Sequence, residues 1–565
     1  MEMFSKKSIF LDFNTQYCTT TNELLNSETF YKILKSFIHQ TKKKRPSWWE
    51  EYEEIGCLHG GSGDIANHLI HVFKLITVFP IEEISDDLLT KKDLLLILIE
   101  ELYNYWRHFE RYAFIINNGQ KRGLQKISFM NAENAFSNLV LLTYRLISEK
   151  IMGNSYRVYR QVSAGSNASF ILQNSDELFN GEYESLNSIR LIHTIILHAP
   201  FIVYPQNTKR KGVFKEVEFN PIKNLSFNKK EWFCFPLKVG NHRARVFFHR
   251  DYMNLGLTLA NLFEIDLNSE DSQVDLILVY GGNSEKINES VFYEDIHNSC
   301  FVGYVPYGEE ATYFGYMKKM LLTLHNLANI NKNELPIHGA MFSILFKNRE
   351  RKNIVIMGDS GTGKSETLEA LRSYADQDIS DITVIFDDMG SLKIVNNEIY
   401  GYGSETGAFV RLDDLEPGYA YRSIDRSILM NPDQSNARAV IPITTYENIV
   451  RGYKVDMFLY ANNYEDKEGI YHFIDKNDAI NVCKAGKRMA KSTTNEKGIV
   501  ETYFANPFGP YQKKEKVDSL LEIYFSKMFL NNIFVGEIYT CLGIEGKEHL
   551  GPSKASRELL NTIKK

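Results

Sequence analysis

The sequence predicts an α/β protein in three parts: a helical first unit, a mixed-sheet α/β unit, and a second α/β unit built around a glycine-rich loop. Three observations predict it. Apolar residues recur at intervals of three and four before residue 150, short apolar runs separated by turn residues take over after Gly153, and "NIVIMGDSGTGKSETLEAL" sets a strand, a glycine turn and a helix in succession. The parts read as residues 1–152, 153–303 and 304–565, and a chain of 565 residues is too long for one ordinary core.

In the first part, Leu95, Leu98, Leu102, Tyr105, Phe109 and Tyr112 fall on one face of a helix running from about Leu94 to Ile116. A second helix covers Phe136 to Ile151, with "NNGQKRG" (Asn117 to Gly123) as the turn between them. The runs "SFIL", "PFIVYP", "RARVFFH" and "VDLILVY" read as strands of the middle part, and no internal repeat or low-complexity segment interrupts them.

Composition narrows the function classes. With 44% hydrophobic and 24% charged residues the chain has ample apolar surface to bury. A net charge of -6 argues against a nucleic-acid surface, and the basic runs Lys42 to Arg45 and Lys209 to Lys211 read as solvated loops. The six cysteines stand far apart without a C-x-x-C pair, which fits a reducing compartment and no zinc site. "MEMFSKKSIFLDF" lacks the apolar core of a signal peptide and Leu94 to Ile99 is far short of a membrane span, so a cytoplasmic protein with no membrane partner is expected. The oligomeric state is left open.

The glycine loop fits G-x-x-x-x-G-K-[ST], with Gly358, Gly363, Lys364 and Ser365 at the fixed positions and Asp359, Ser360, Gly361 and Thr362 between them. Glycine allows backbone conformations that aim successive amides at phosphate oxygens near the positive end of a helix. In that setting Lys364 neutralises terminal phosphate charge, and Ser365 ligates the Mg²⁺ of a bound ATP. Some twenty residues on, "TVIFDD" (Thr383 to Asp388) is an apolar strand ending in two carboxylates, Asp387 and Asp388, suited to a cation beside phosphate.

From here the chain resembles the ATP-dependent phosphoenolpyruvate carboxykinases and, through "GDSGTGKSET", the HPr kinase/phosphorylases. "YFGYMKK" (Tyr313 to Lys319) is similar to Y-A-G-E-M-K-K, "IHGAMFS" (Ile337 to Ser343) to M-H-C-S-A-N, and "SETGAF" (Ser404 to Phe409) to E-G-G-C-Y. "SNARAVIPIT" (Ser435 to Thr444) and "MAKSTTNEKGIVETYF" (Met489 to Phe504) follow the family order, so that the resemblance spans roughly residues 300 to 545. It implies a P-loop carboxykinase-like domain, a second metal, usually Mn²⁺, on Lys319, His338 and Asp388, and Lys318 and Arg438 on the transferring phosphoryl group. Glu405 would order the site near the metals, and Tyr313 would face the carboxylated substrate. Lys319 can serve a metal only as a neutral amine, which burial beside a dication favours.

Two departures from the family stand out. The G-R-S-P-K-D-K segment, whose arginine grips the substrate carboxylate, has no match; Arg157 or Arg160 in "YRVYRQVSAGSNAS" is the nearest basic candidate, and a solvated strand face explains them equally well. "YTCLGIEG" (Tyr539 to Gly546) matches a family strand, but the adenine-packing R-x-S-I segment does not follow it, which leaves ATP against GTP open. The expected activity is ATP- and metal-dependent conversion of oxaloacetate to phosphoenolpyruvate, ADP and CO₂. The alternatives are an HPr-kinase-like enzyme acting on a protein or small-molecule hydroxyl, and a nucleotide-binding protein without turnover.

Overall fold

Period-two alternation sets the central architecture. Along the strand Arg351–Met357, Ile354 and Ile356 join one buried cluster while Val355 and Met357 join another, because successive side chains of a strand point to opposite faces. A strand apolar on both faces must lie inside a sheet covered on both sides. The computed structural model has this arrangement. It describes the chain apart from residues 1–2, 5–7, 15–16, 45–48, 51, 54–57, 118–123, 154–164, 176–177, 211, 224, 267–272, 374–378, 413–425, 435, 491–497, 549 and 565. Residues 118–123 of the expected turn therefore lie outside the described residues.

The chain is mixed α/β and divides into two compact units, one of residues 1–174 with 194–198, the other of residues 175–193 with 199–565. Among the described residues no helix is long and apolar enough to cross a membrane.

In the first unit, helices α1 (Thr21–Asn26), α2 (Glu28–Lys44), α3 (Ser62–Val78), α4 (Lys92–His108) and α5 (Leu124–Met152) accompany three parallel strands, β1 (Ser8–Asp12), β2 (Glu110–Asn117) and β3 (Ala168–Gln173). The expected helix to Ile116 stops at His108. From Glu110 the chain is strand, because Tyr112, Ala113, Phe114 and Ile115 are all buried between β1 and β3, with Phe114 stacked on its register partner Phe170. A parallel strand buried on both faces shows no alternation, so its spacing can pass for helical.

The second unit contains the strands β4 (Trp232–Val239), β5 (His242–His249), β6 (Leu276–Gly282), β7 (Val291–Asp295) and β8 (Cys300–Pro306), hydrogen-bonded in the order β4-β5-β6-β8-β7. An eight-stranded mixed sheet follows, whose inner order is β12-β11-β9-β10-β15-β16 for β9 (Leu335–Phe346), β10 (Arg351–Met357), β11 (Ile379–Val395), β12 (Glu398–Gly403), β15 (Met457–Asn462) and β16 (Phe534–Tyr539). β13 (Gly407–Arg411) and β14 (Arg438–Pro442) pair in a smaller sheet.

Helices α7 (Lys364–Ser373) and α9 (Leu550–Ile563) cover one face of the eight-stranded sheet through Leu368, Leu371, Leu559 and Ile563. Helix α8 (Lys514–Leu530) covers the other with Leu521, Tyr524 and Phe525. Helix α6 (Phe314–Asn331) is buried along nearly its whole length, and its interior polar residues therefore need partners inside the protein.

One buried charge cluster tests how β5 is held. Asp266 Oδ2 accepts from Arg243 Nε at 2.7 Å and from Arg245 Nη1 at 2.9 Å, and Arg245 is 1% exposed. Asp266→Ala leaves that guanidinium buried without its carboxylate, so denaturant unfolding should show a loss of about 3–5 kcal/mol. Arg245→Met added to Asp266→Ala should recover most of it.

Candidate functional site

The glycine loop leaves β10 at Met357 and enters α7 at Lys364. Gly361 and Gly363 have φ of 80° and 95°, the left-handed region that side chains disfavour, and a Cβ on Gly363 would meet Thr540 at 2.6 Å. Its carbonyls are pinned from outside: Thr540 Oγ1 donates to Thr362 O at 2.6 Å and Asn463 Nδ2 to Gly361 O at 2.9 Å. Ser556 of α9 donates to Thr367 O at 2.8 Å, which props the first turns of α7. The Ser360 amide donates to Asp359 Oδ1 at 2.7 Å and the Thr362 amide to Asp359 O at 3.3 Å, which leaves anion binding to the helix entrance, where the first four N–H groups have no intrahelical acceptor.

Lys364 Nζ donates to Asp359 O at 2.9 Å, and Ser365 Oγ to Asp387 Oδ1 at 2.8 Å. The loop and the acidic pair expected to oppose it thus face one another. The pair does not end its strand, however: β11 continues to Val395, and Asp388 interrupts it with φ of 136°. That backbone departure lies opposite Gly339, whose Cβ would meet Ile356 O at 2.5 Å.

Asp388 is the meeting point of the expected metal residues. Its Oδ2 accepts from Lys318 Nζ at 2.8 Å and Lys319 Nζ at 2.7 Å, while His338 Nε2 lies 3.0 Å from its Oδ1. The lysines come from the first turns of α6, the histidine from β9. Glu405, fully buried between β12 and β13, stands 3.1 Å from Lys318 Nζ. Arg438 opens β14 and lies over the Phe409 ring at 5.3 Å; Lys318 lies over the same ring at 5.9 Å, and Tyr313, which precedes α6, packs its ring 6.3 Å from it. All of these expected residues therefore converge on one region of the second unit. Arg157 and Arg160 lie outside the described residues, as do residues 491–497 of the Met489 to Phe504 motif.

Burial and charge set the protonation of this cluster. Burial alone would raise the Asp388 carboxyl, but Lys318 and Lys319 with the His338 contact hold it well below the usual carboxylate range. Burial lowers the Lys319 ammonium, with Asp388 opposing the shift and Lys318 adding to it. Lys318 moves the other way, because Asp388 and Glu405 outweigh its burial. Burial pushes Glu405 up to about 7, with Lys318 only partly opposing it, and raises Asp387 against the Ser365 hydroxyl and Lys364.

Among the described residues no three His, Cys, Asp or Glu side chains gather as a metal-ligand group, so a cation here rests on one imidazole, one carboxylate and one amine. The imidazole fits that role. His338 Nδ1 lies 2.7 Å from Ala505 O, which assigns that nitrogen a proton, and Nε2 then faces Asp388 Oδ1 with either a second proton or a lone pair for a cation. A histidine whose second nitrogen is fixed by a backbone carbonyl, next to a carboxylate and a lysine whose charge burial disfavours, is a coherent N/O donor set for Mn²⁺. Ser365 and Asp387 offer two oxygens to a Mg²⁺ riding on phosphate.

Three features escaped the sequence. The segment Phe504 to Phe508 forms a seat for the cluster: Phe504 and Ala505 are left-handed (φ 52° and 46°), Asn326 Nδ2 of α6 donates to Phe508 O at 2.6 Å, and Lys319 Nζ sits 4.7 Å over the Phe508 ring. Arg488 Nε donates to Asp359 Oδ2 at 2.9 Å and buttresses the glycine loop. Arg210, expected on a solvated loop, instead lies between the rings of Phe214 and Phe508 at 4.9 and 5.1 Å, and burial lowers its guanidinium from the ordinary range, with Tyr316 and Tyr313 opposing. Aromatic stacking of its guanidinium explains why Arg210 is drawn in while the neighbouring Lys209 stays exposed.

No family model matches the chain, and no curated protein matches it.

Glu405 gives this cluster a pH signature. A carboxyl titrating near 4.5 in the unfolded chain and near 7 in the fold keeps its proton longer when folded, so stability falls as pH rises between those values and levels off above them. Glu405→Gln removes that slope. Relative to wild type, the metal-free variant should gain up to about 3 kcal/mol between pH 4.5 and 8 in urea unfolding.

Proposed function

We propose that this protein is an ATP- and divalent-metal-dependent phosphotransferase of the phosphoenolpyruvate carboxykinase type, acting on a small carboxylated acceptor such as oxaloacetate. The observation that carries the reading is the adjacency of two sets of groups: a glycine loop with Lys364 and Ser365 facing Asp387, and Asp388, one residue further along the same strand, with Lys319 and His338 gathered on it. The first set suits the phosphate tail and its Mg²⁺; the second suits Mn²⁺ beside an acceptor. When bound there, the second cation supplies Lewis-acid stabilisation for negative charge on an acceptor oxygen.

The chain's own residues do the rest. Lys364 offsets phosphate charge at the loop, while Lys318 and Arg438, both against Phe409, present fixed positive charge to a transferring phosphoryl group. Tyr313 lines the same region. Arg210 supports the carboxylated acceptor: a guanidinium braced by two rings, next to Lys319 through Phe508, offers the planar fork that a carboxylate prefers, in place of the missing G-R-S-P-K-D-K arginine.

A second reading, an HPr-kinase-like enzyme acting on a hydroxyl, is favoured by one observation. Asp387 is half-buried beside the loop and its carboxyl is shifted upward, a position and a proton affinity suited, once it is ionised, to taking a hydroxyl proton.

Oxaloacetate-dependent formation of ADP from ATP with Mn²⁺ separates the readings. The carboxykinase reading expects turnover with oxaloacetate, a loss of about a hundredfold or more in Lys364→Ala, and a rise of about tenfold or more in the KM for oxaloacetate in Arg210→Met. No ADP with oxaloacetate, but transfer of labelled phosphate to a hydroxyl acceptor that Asp387→Asn abolishes, establishes the second reading instead.

A further inference from the structure

A pocket of about 220 Å³, partly open to solvent, is lined in the first unit by β1 and helices α1 to α5. Its wall is apolar and strongly aromatic, with Phe30, Phe73, Trp106 and Phe136 joined by Leu102 and Val140. It lies where two core clusters of this unit meet, one containing Phe73 and Leu102, the other Trp106 and Phe136. Folded interiors are packed to the density of organic crystals, so an apolar recess this size, partly open to solvent, leaves aromatic surface that a guest could cover.

The wall also says what the occupant is. Among the described lining residues there is no Lys, Arg or His, which leaves an anionic ligand without a counter-charge. The polar lining groups are mostly engaged already. Thr143 Oγ1 pairs with Thr21 Oγ1 at 3.0 Å, Ser27 Oγ donates to Leu24 O at 2.8 Å, Asp12 accepts from the Asn14 amide at 2.9 Å, and the Tyr144 hydroxyl donates to Glu100. Thr29 differs: its Oγ1 is buried and has no hydrogen-bond partner. The Tyr17 and Tyr103 hydroxyls also line the pocket, but most of its wall is apolar, and an apolar cavity of about 150 Å³ already takes a benzene ring. Aromatic walls favour an aromatic guest through edge-to-face contacts.

We propose that this cavity is a binding site for a neutral aromatic molecule carrying one hydroxyl, whose ring fills the Phe73, Trp106 and Phe136 enclosure and whose hydroxyl pairs with Thr29 Oγ1. The site is independent of the nucleotide-binding reading and involves none of its residues.

Benzyl alcohol, toluene and benzoate are the probes, titrated calorimetrically into the full chain. Benzyl alcohol and toluene should bind saturably at one site, the alcohol about threefold to tenfold tighter, and benzoate at least about tenfold weaker than the alcohol. Thr29→Val should remove the advantage of the alcohol and leave toluene unchanged, and Val140→Phe should fill the space and abolish binding of both. Should Val140→Phe fail to fold, the Thr29→Val comparison decides alone. Absence of saturable binding, benzoate binding as tightly as benzyl alcohol, or an undiminished preference for the alcohol in Thr29→Val overturns the proposal.

Discussion

The second unit depends on one carboxylate. Asp388 collects two ammonium groups and an imidazole on two oxygens, and three elements bring them together: Lys318 and Lys319 from α6, His338 from β9, Asp388 itself from β11. An uncompensated charge at this depth would cost several kcal/mol, so the carboxylate and its cations are stable only together. The same carboxylate has a backbone φ of 136°, a conformation that surrounding structure must enforce. The strain and the charge occupy one residue. On the proposed reading, a cation held by Lys319, His338 and Asp388 would relieve Lys318 of part of its pairing with that carboxylate.

The buried face of α6 shows how that arrangement is fixed. Two positions near its start hold the lysines, and Asn326, about two turns on, fixes Phe508 through its carbonyl. Phe508 returns to Lys319 as an aromatic platform, while Ala505, three residues earlier, fixes the His338 ring. A single rigid helix therefore sets the spacing between the amine and the imidazole, and it can do so because it is packed all round. Polar residues inside such a helix cost stability unless paired, and the pairing of Asn326 is what couples the helix to the seat.

How much of this was legible in the sequence follows from the range of each interaction. The glycine loop was legible because its backbone conformation restricts residue type at fixed positions over eight residues, and Gly361 and Gly363 do take left-handed φ. The strands around Ala168–Gln173, His242–His249, Leu276–Gly282 and Arg351–Met357 were legible from compact apolar runs bounded by turn residues. β2 was not, since burial on both faces erased its alternation and Phe109 and Tyr112 happened to continue the helical spacing of α4. Lys319, His338 and Asp388 stand tens of residues apart, and only the order of motifs joined them. Arg210, Asn326 and Ala505 carried no local signal at all. A basic triplet, an amide inside a helix and an alanine in a loop become informative only when tertiary packing sets Arg210 against Phe508, Asn326 against its carbonyl and Ala505 against His338.

Phe508 and Phe409 suggest why so many cations share a small volume in a chain whose net charge is -6. Lys319 and Arg210 meet over one ring, Lys318 and Arg438 over the other, while the carboxylates nearby are Asp388 and Glu405, the second shifted toward its neutral form. Ring faces attract cations without neutralising them, as a carboxylate would. Lys318 and Lys319 are paired with Asp388 as well, so the rings supplement that carboxylate rather than replace it. On the proposed reading, the ring-braced guanidinium of Arg210 is the group placed to meet an anionic guest there.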